Sequence, residues 1–260
     1  MQVTILGSGG SSGTPAVDWG WGRCDPDNIK NRRTRPSILV ENSTTRILVD
    51  STPDLREQLL ATRVREVDAV LYTHAHADHL HGIDDLRAIN RTRNAPLDAY
   101  ADAKTLEVIR TRFAYVLEPL DEGARFYYKP TLTPHEIADG DRFSIGGIAI
   151  TAFAQDHGFS ATLGFRFGRV AYTTDVVELS EGAFEILKGV RLWIIGTLVD
   201  HPHPTHCDVD KALAWIDRIA PRRAVLTHLG GDLDYATLAA RLPAGVEPAY
   251  DGMRMEVSDR

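Results

Sequence analysis

The stretch Tyr72-Thr73-His74-Ala75-His76-Ala77-Asp78-His79-Leu80 decides how this chain is read. Three histidines and an aspartate fall between positions 74 and 79, spaced by alanines. Ahead of them, residues 67–72 (Val-Asp-Ala-Val-Leu-Tyr) read as a short buried strand of apolar and β-branched residues. Behind them, residues 80–91 carry Leu80, Ile83, Leu86 and Ile89 at helical spacing. The cluster is therefore expected where a strand gives way to a helix. In extended chain His74 and His76 project to one side, so both reach one cation. Once the backbone turns, Asp78 and His79 are aimed at a second position. Imidazole nitrogen and carboxylate oxygen are ligands for zinc and similar divalent ions at about 2.0–2.2 Å, and the alanines leave room for them. An ordinary polar turn requires no such register.

Composition narrows the class. With 260 residues and 43% hydrophobic content, the chain can bury a large core. A formal net charge of −7 argues against a nonspecific nucleic-acid or lipid-surface binder, both of which need a basic face. The two cysteines, Cys24 and Cys207, exclude a disulfide framework and fit a reducing cytosol. There is no charged N-terminal leader and no run of about eighteen apolar residues. A soluble cytoplasmic protein without a membrane partner is the expectation, and a homodimer is allowed.

Along the chain, Val3-Thr4-Ile5-Leu6 reads as a first strand running into Gly7-Ser8-Gly9-Gly10-Ser11-Ser12-Gly13-Thr14-Pro15. A dinucleotide loop needs a helix straight after its glycines. Pro15 leads instead to Trp19-Gly20-Trp21-Gly22, so a flexible loop beneath the site is expected, its amides candidates to face a phosphate. Asn31-Arg32-Arg33-Thr34-Arg35-Pro36 is the dense basic run. Its default reading is a solvated face, and its arginines are candidates for gripping a phosphate ester. Residues 37–41 and 46–50 form a hairpin across Asn42-Ser43-Thr44-Thr45, and Ser51 or Thr52 caps a helix begun by Pro53. Further strands are expected at 97–101, 143–153, 162–167, 169–174, 192–195 and 224–227, and helices at 103–115, 181–187, 209–219 and 233–242. Residues 121–134, aromatic and proline-containing, are expected to line the substrate mouth or a partner surface. Strands first, then strands alternating with helices, point to a layered α/β protein.

Three distant residues lie at predicted strand ends: His157 in Gln155-Asp156-His157-Gly158, Asp175 closing residues 170–175, and His228 closing residues 224–228. His206, in Pro204-Thr205-His206-Cys207-Asp208, precedes a helix whose first turn is acidic. His81 reads as a surface or supporting residue and His135 as structural.

The motif His74-x-His76-x-Asp78-His79 resembles the signature of the metallo-β-lactamase-fold hydrolases. The resemblance implies an α/β fold, the metallo-β-lactamase αββα four-layer sandwich, spanning residues 1–260 as one domain, with two divalent metal ions, zinc or manganese. The family order implies His74, His76 and His157 on one metal, Asp78, His79 and His228 on the other, and Asp175 bridging. Asp78 and His206 are then the candidate catalytic residues, His206 resembling the histidine that phosphodiesterase branches place to protonate a leaving alkoxide. Gly7-Ser8-Gly9-Gly10, Arg32-Arg33, Thr174-Asp175, His206-Cys207-Asp208, Leu226-Thr227-His228 and Asp251-Gly252-Met253 resemble the cyclic phosphodiesterases of phosphonate breakdown. What that implies is a small phosphodiester or nucleotide ligand, rather than nucleic acid. The alternatives are a tRNA 3′-processing-type nuclease and a thioester or lactam hydrolase. That family's structural zinc needs a cysteine-rich knuckle and a further histidine; Cys24 and Gly231 stand there, and no structural zinc is expected.

Overall fold

A computed structural model describes residues 1–258. In the first half, β1 (Gln2–Gly7), β2 (Ser37–Glu41), β3 (Arg46–Val49), β4 (Ala69–Leu71), β5 (Leu97–Ala101) and β6 (Leu132–Glu136) alternate with α1 (Leu55–Thr62), α2 (Ala77–Leu80), α3 (Leu86–Arg93) and α4 (Ala103–Arg112). The second half holds β7 (Arg142–Ile145), β8 (Ile148–Asp156), β9 (Ala161–Phe167), β10 (Val170–Thr173), β11 (Leu192–Gly196), β12 (Arg223–Thr227), β13 (Val246–Pro248) and β14 (Arg254–Glu256). Its helices are α5 (Glu181–Leu187), α6 (Val209–Ile219) and α7 (Tyr235–Arg241).

Two seven-stranded sheets result, ordered β14-β1-β2-β3-β4-β5-β6 and β13-β12-β11-β10-β9-β8-β7. Each is antiparallel at one end and parallel at the other, with β3 to β6 parallel in the first sheet and β10 to β13 parallel in the second. The inner parallel strands β4, β10 and β11 are buried along their whole length, covered on both faces, which explains their largely apolar sequences. In β11, for example, Leu192 and Ile194 face the other sheet while Trp193 and Ile195 face the helices. Val3, Ile38, Ile47 and Leu71 of one sheet meet Phe165, Val170, Ile194 and Val225 of the other in the central core. A second core lies under α1, α3 and α4, and a third under α5, α6 and α7. The layers are therefore helix, sheet, sheet, helix. Among the described residues no helix is long and apolar enough to cross a membrane.

Several expected boundaries move for identifiable reasons. The strand expected at 143–153 is a hairpin, because Gly146 and Gly147 both take positive φ (51° and 79°) and turn the chain. The helix expected at 80–91 is α2, a 3-10 turn at Ile83–Asp85 and α3. The break falls at Gly82, whose amide donates to Ser51 O at 2.8 Å. A Cβ there would stand 1.8 Å from Thr52 O. The helix after Pro53 begins later, at Leu55, and Thr52 Oγ1 accepts from the Asp54 amide at 2.9 Å. The helix expected to reach residue 115 stops at Arg112. Residues 121–131 form a loop fixed on α3, with Arg91 Nε donating to Tyr127 O and Arg87 Nη1 to Tyr128 O.

Gly82→Ala is expected to destabilise the protein by about 1–3 kcal/mol, as overpacking does. A lower urea midpoint at unchanged slope would register it, and an unchanged midpoint would show that the approach to Thr52 is not a constraint.

Candidate metal centre

The parallel strands all end at the same rim, and the chemistry is there. His74 and His76 lie between β4 and α2, while Asp78 and His79 are carried by α2 itself, with His76 as its N-cap. His157 follows β8, Asp175 follows β10 and His228 follows β12. Three residues at strand ends, Asp50, Asp175 and His228, adopt positive φ (66°, 50° and 57°). Side chains other than glycine seldom sit there, and such strain concentrates where the surrounding structure enforces it.

The seven predicted ligand positions come together as two groups. Donor atoms of His74, His76, His157 and Asp175 lie within 4.8 Å of one another, as do those of Asp78, His79, Asp175 and His228. Asp175 belongs to both groups. His79 Nε2 stands 3.0 Å from Asp175 Oδ2 and 3.3 Å from Asp78 Oδ2, and His228 Nε2 is 3.2 Å from Asp175 Oδ2. The ring orientations are held from behind. His79 Nδ1–H donates to Asp50 Oδ2 at 2.7 Å, and His157 Nδ1–H donates to Thr205 O at 2.7 Å. Each ring therefore turns its other nitrogen towards the rim, the arrangement that presents imidazole to a metal.

These residues fit divalent cations on two counts. Nε2 of His74 and Nδ1 of His228 are buried without a hydrogen-bond partner, which buried polar groups rarely tolerate. Asp50, Asp78 and Asp175 are buried carboxylates whose ion-pair partners, among the described residues, are imidazoles alone. Buried carboxylates need compensating positive charge. Burial opposes the charge on Asp175, yet His228 and His79 hold its carboxyl well below the usual range. Burial and then His79 hold the His74 ring well below the ordinary imidazole value, in the neutral form that binds metal.

His206 belongs to neither group. Its Nδ1 is 3.7 Å from Asp175 Oδ1, and its ring lies 4.8 Å from that of His157 and 5.0 Å from that of His228. Burial, followed by His228, lowers its pKa to about 3. His76, Asp78, His157, Asp175 and His206 line a cavity of about 360 Å³. A larger cavity of about 860 Å³ opens at the other end of the strands, beside Gln2, Leu192 and Arg223, and none of the clustered histidines reaches it.

The other candidates fall elsewhere. Arg33 is neither a solvated residue nor a grip for substrate. It is buried, donating to Gly230 O at 3.2 Å, Leu233 O at 2.7 Å and Asn31 Oδ1 at 3.1 Å. Arg35 pairs with Asp54 at 2.8 Å, and Arg32 is exposed. The glycine-rich loop is pinned, not loose: amides of Ser8, Gly9, Gly10, Gly13 and Thr14 donate to Asp251 Oδ1, Thr34 O, Leu229 O, Gly10 O and Arg33 O. Those amides are thereby unavailable to a phosphate. Cys24 Sγ donates to Gly231 O at 3.3 Å. His135 pairs with Asp98 and stacks on Tyr100. His81 is exposed beside Phe113. Residues 121–131 do not line the 360 Å³ cavity. Asp50 was missed by sequence reasoning. Its signal was a carboxylate closing the apolar strand 46–50, the same pattern that marked Asp175.

Residues 45–229 match the β-lactamase superfamily domain. The chain belongs to that superfamily and is a metallo-β-lactamase-fold hydrolase. A crystal structure of a diphosphatase from the PhnP family superposes with a TM-score of 0.87 at 30% identity, covering 98% of this chain and 96% of that one. Ribonuclease Z of Mycobacterium sp. (strain KMS) is 28% identical over 99% of this chain and 96% of its own length. An octanoyltransferase of Porphyromonas gingivalis is 32% identical over the whole chain, but the chain spans only 52% of that relative.

Asp50→Ala removes the carboxylate behind His79. Affinity for Zn²⁺ or Mn²⁺, read by chelator competition, is expected to fall about 10–100-fold with the fold retained. Unchanged affinity would separate Asp50 from the centre.

Proposed function

We propose that this hydrolase is a dinuclear metal-dependent phosphodiesterase acting on small, cyclic phosphodiesters. The observation that carries the reading is that two donor groups share one carboxylate while an imidazole outside both, His206, stands 3.7 Å from that carboxylate in the same cavity. In this reading His74, His76 and His157 would hold one divalent ion, Asp78, His79 and His228 a second, and Asp175 would serve both. Zinc or manganese bound there would supply Lewis acidity at the phosphoryl group and offset negative charge on its oxygens.

The chain's own residues do the positioning. Asp50 and Thr205 select the ring nitrogens that face the cavity, through the bonds from His79 and His157. Asp78, at the cavity wall, orients the incoming water. His206 gives a proton to the departing oxygen, and the negative charge of a bound phosphate opposes the burial that otherwise keeps its ring neutral.

The diphosphatase and the ribonuclease Z named above support reaction at phosphorus over a thioester or lactam. The ribonuclease Z likeness also favours a nuclease acting on tRNA 3′ ends. Against it, among the described residues no lysine or arginine lines the 360 Å³ cavity, whereas polynucleotide phosphates are held by basic side chains.

Elemental analysis is expected to find two divalent ions per chain, and Asp175→Ala should lower that content sharply because the shared carboxylate serves both. One tightly held ion, indifferent to Asp175→Ala, would sink the dinuclear reading.

His206→Ala should keep both ions and the fold while slowing hydrolysis of a ribose cyclic phosphate about a hundred- to ten-thousand-fold. A nitrophenyl diester, whose leaving group needs little protonation, should lose far less. Equal losses on both substrates, or missing metal, would remove His206 as the acid.

A further inference from the structure

Phe159 is 94% exposed, although most large apolar side chains of this protein are buried. It lines the same cavity as His76, Asp78, His157, Asp175 and His206. Its backbone sits in a hydrogen-bonded turn. The His157 amide donates to Ser160 O at 2.9 Å and the Gly158 amide to Asp156 Oδ1 at 2.7 Å, closing a tight turn between β8 and β9. The bond from His157 Nδ1 to Thr205 O ties that turn to the loop that carries His206. The ring therefore stands two residues from a candidate ligand on a frame that the centre itself fixes. The other exposed aromatic side chains among the described residues, Trp19, Phe126 and Tyr128, are not among those lining this cavity.

The rest of the lining lacks what a polyanion needs. Among the described residues it offers no lysine or arginine, and beyond the clustered imidazoles and carboxylates it has only Ser11, Ser160 and Thr205 besides Phe159. A substrate with several negative charges finds no cationic side chain there. A diester carries a single charge, and the part of it that lies outside the metal positions meets an aromatic face. Flat rings stack on such a face, and a nucleobase does so with little regard to which base it is.

We infer that Phe159 is the platform on which a planar base of the substrate stacks, so that the substrate class of this site is a phosphodiester bearing a nucleoside rather than a bare sugar phosphate. The inference rests on the phosphodiesterase reading above, and equilibrium binding tests it separately from turnover. Metal-loaded protein titrated calorimetrically with AMP and with ribose 5-phosphate should bind AMP about tenfold or more tightly, the size expected of one base–aromatic stack. Phe159→Ala should abolish the difference, Phe159→Leu should lose most of it, and Phe159→Trp should keep it. In kinetics, Phe159→Ala should raise KM for a nucleoside 2′,3′-cyclic phosphate more than KM for the base-free ribose cyclic phosphate. Equal affinity of the wild-type protein for the two ligands, or a preference that survives Phe159→Ala, would overturn the stacking role. A Phe159-dependent preference in a protein that opens no phosphodiester would support the platform and overturn the phosphodiesterase reading instead.

Discussion

Three carboxylates, Asp50, Asp78 and Asp175, are buried at one rim with imidazoles as their only ion-pair partners among the described residues. That concentration of negative charge out of water is the constraint on which the rest of the architecture depends, because it is tolerable only where positive charge is supplied. His79 and His228 respond to it directly. Against the effect of burial, Asp175 and Asp78 hold both rings above the ordinary imidazole value. Divalent cations would take over that compensation and leave the rings as neutral donors.

Holding such a group requires a stiff frame. Non-glycine residues at positive φ cost of the order of 1–3 kcal/mol each, and Asp50, Asp175 and His228 all adopt it where a strand stops and the side chain must turn into the rim. The strands leading into them, β3, β10 and β12, are buried over nearly their whole length. Two ionisable residues, the half-buried Asp251 and the buried Arg33, then lock the loops around the rim. Asp251 accepts from the amides and hydroxyls of Ser8 and Thr34. Arg33 draws in the carbonyls of Gly230 and Leu233, just beyond His228. The glycine-rich loop, bonded to Leu229, then ties the first sheet to the second beside His228. Arg33 and Arg35, which look in sequence like a phosphate grip, are thus spent on position.

Local pattern carried some parts of this protein and not others. The apolar strands and the helices 181–187 and 209–219 were legible because each announces itself within a few residues, through an unbroken apolar run or an amphipathic repeat. The hairpin at Gly146-Gly147 is announced by its glycine pair, a two-residue turn signal between apolar segments, and a single strand over 143–153 overlooks it. The break at Gly82 was not legible, because it is set by Thr52, a neighbour far away in sequence. The short strands β13 and β14 carry almost no pattern of their own and exist because β12 and β1 offer them edges.

The sequence by itself determined the donor chemistry: a dense histidine–aspartate motif after a strand, further histidines and an aspartate at strand ends, and a fold class able to gather them. Those features survive in one dimension because ligand type and strand–turn spacing are local. Only the tertiary structure decided that Asp50 stands behind His79, that Arg33 faces inward, and that Phe159 stands bare at the cavity mouth. Each of these depends on residues tens to hundreds of positions apart meeting where the sheets end. That meeting is governed by packing and by the burial of charge, neither of which a single stretch of chain contains.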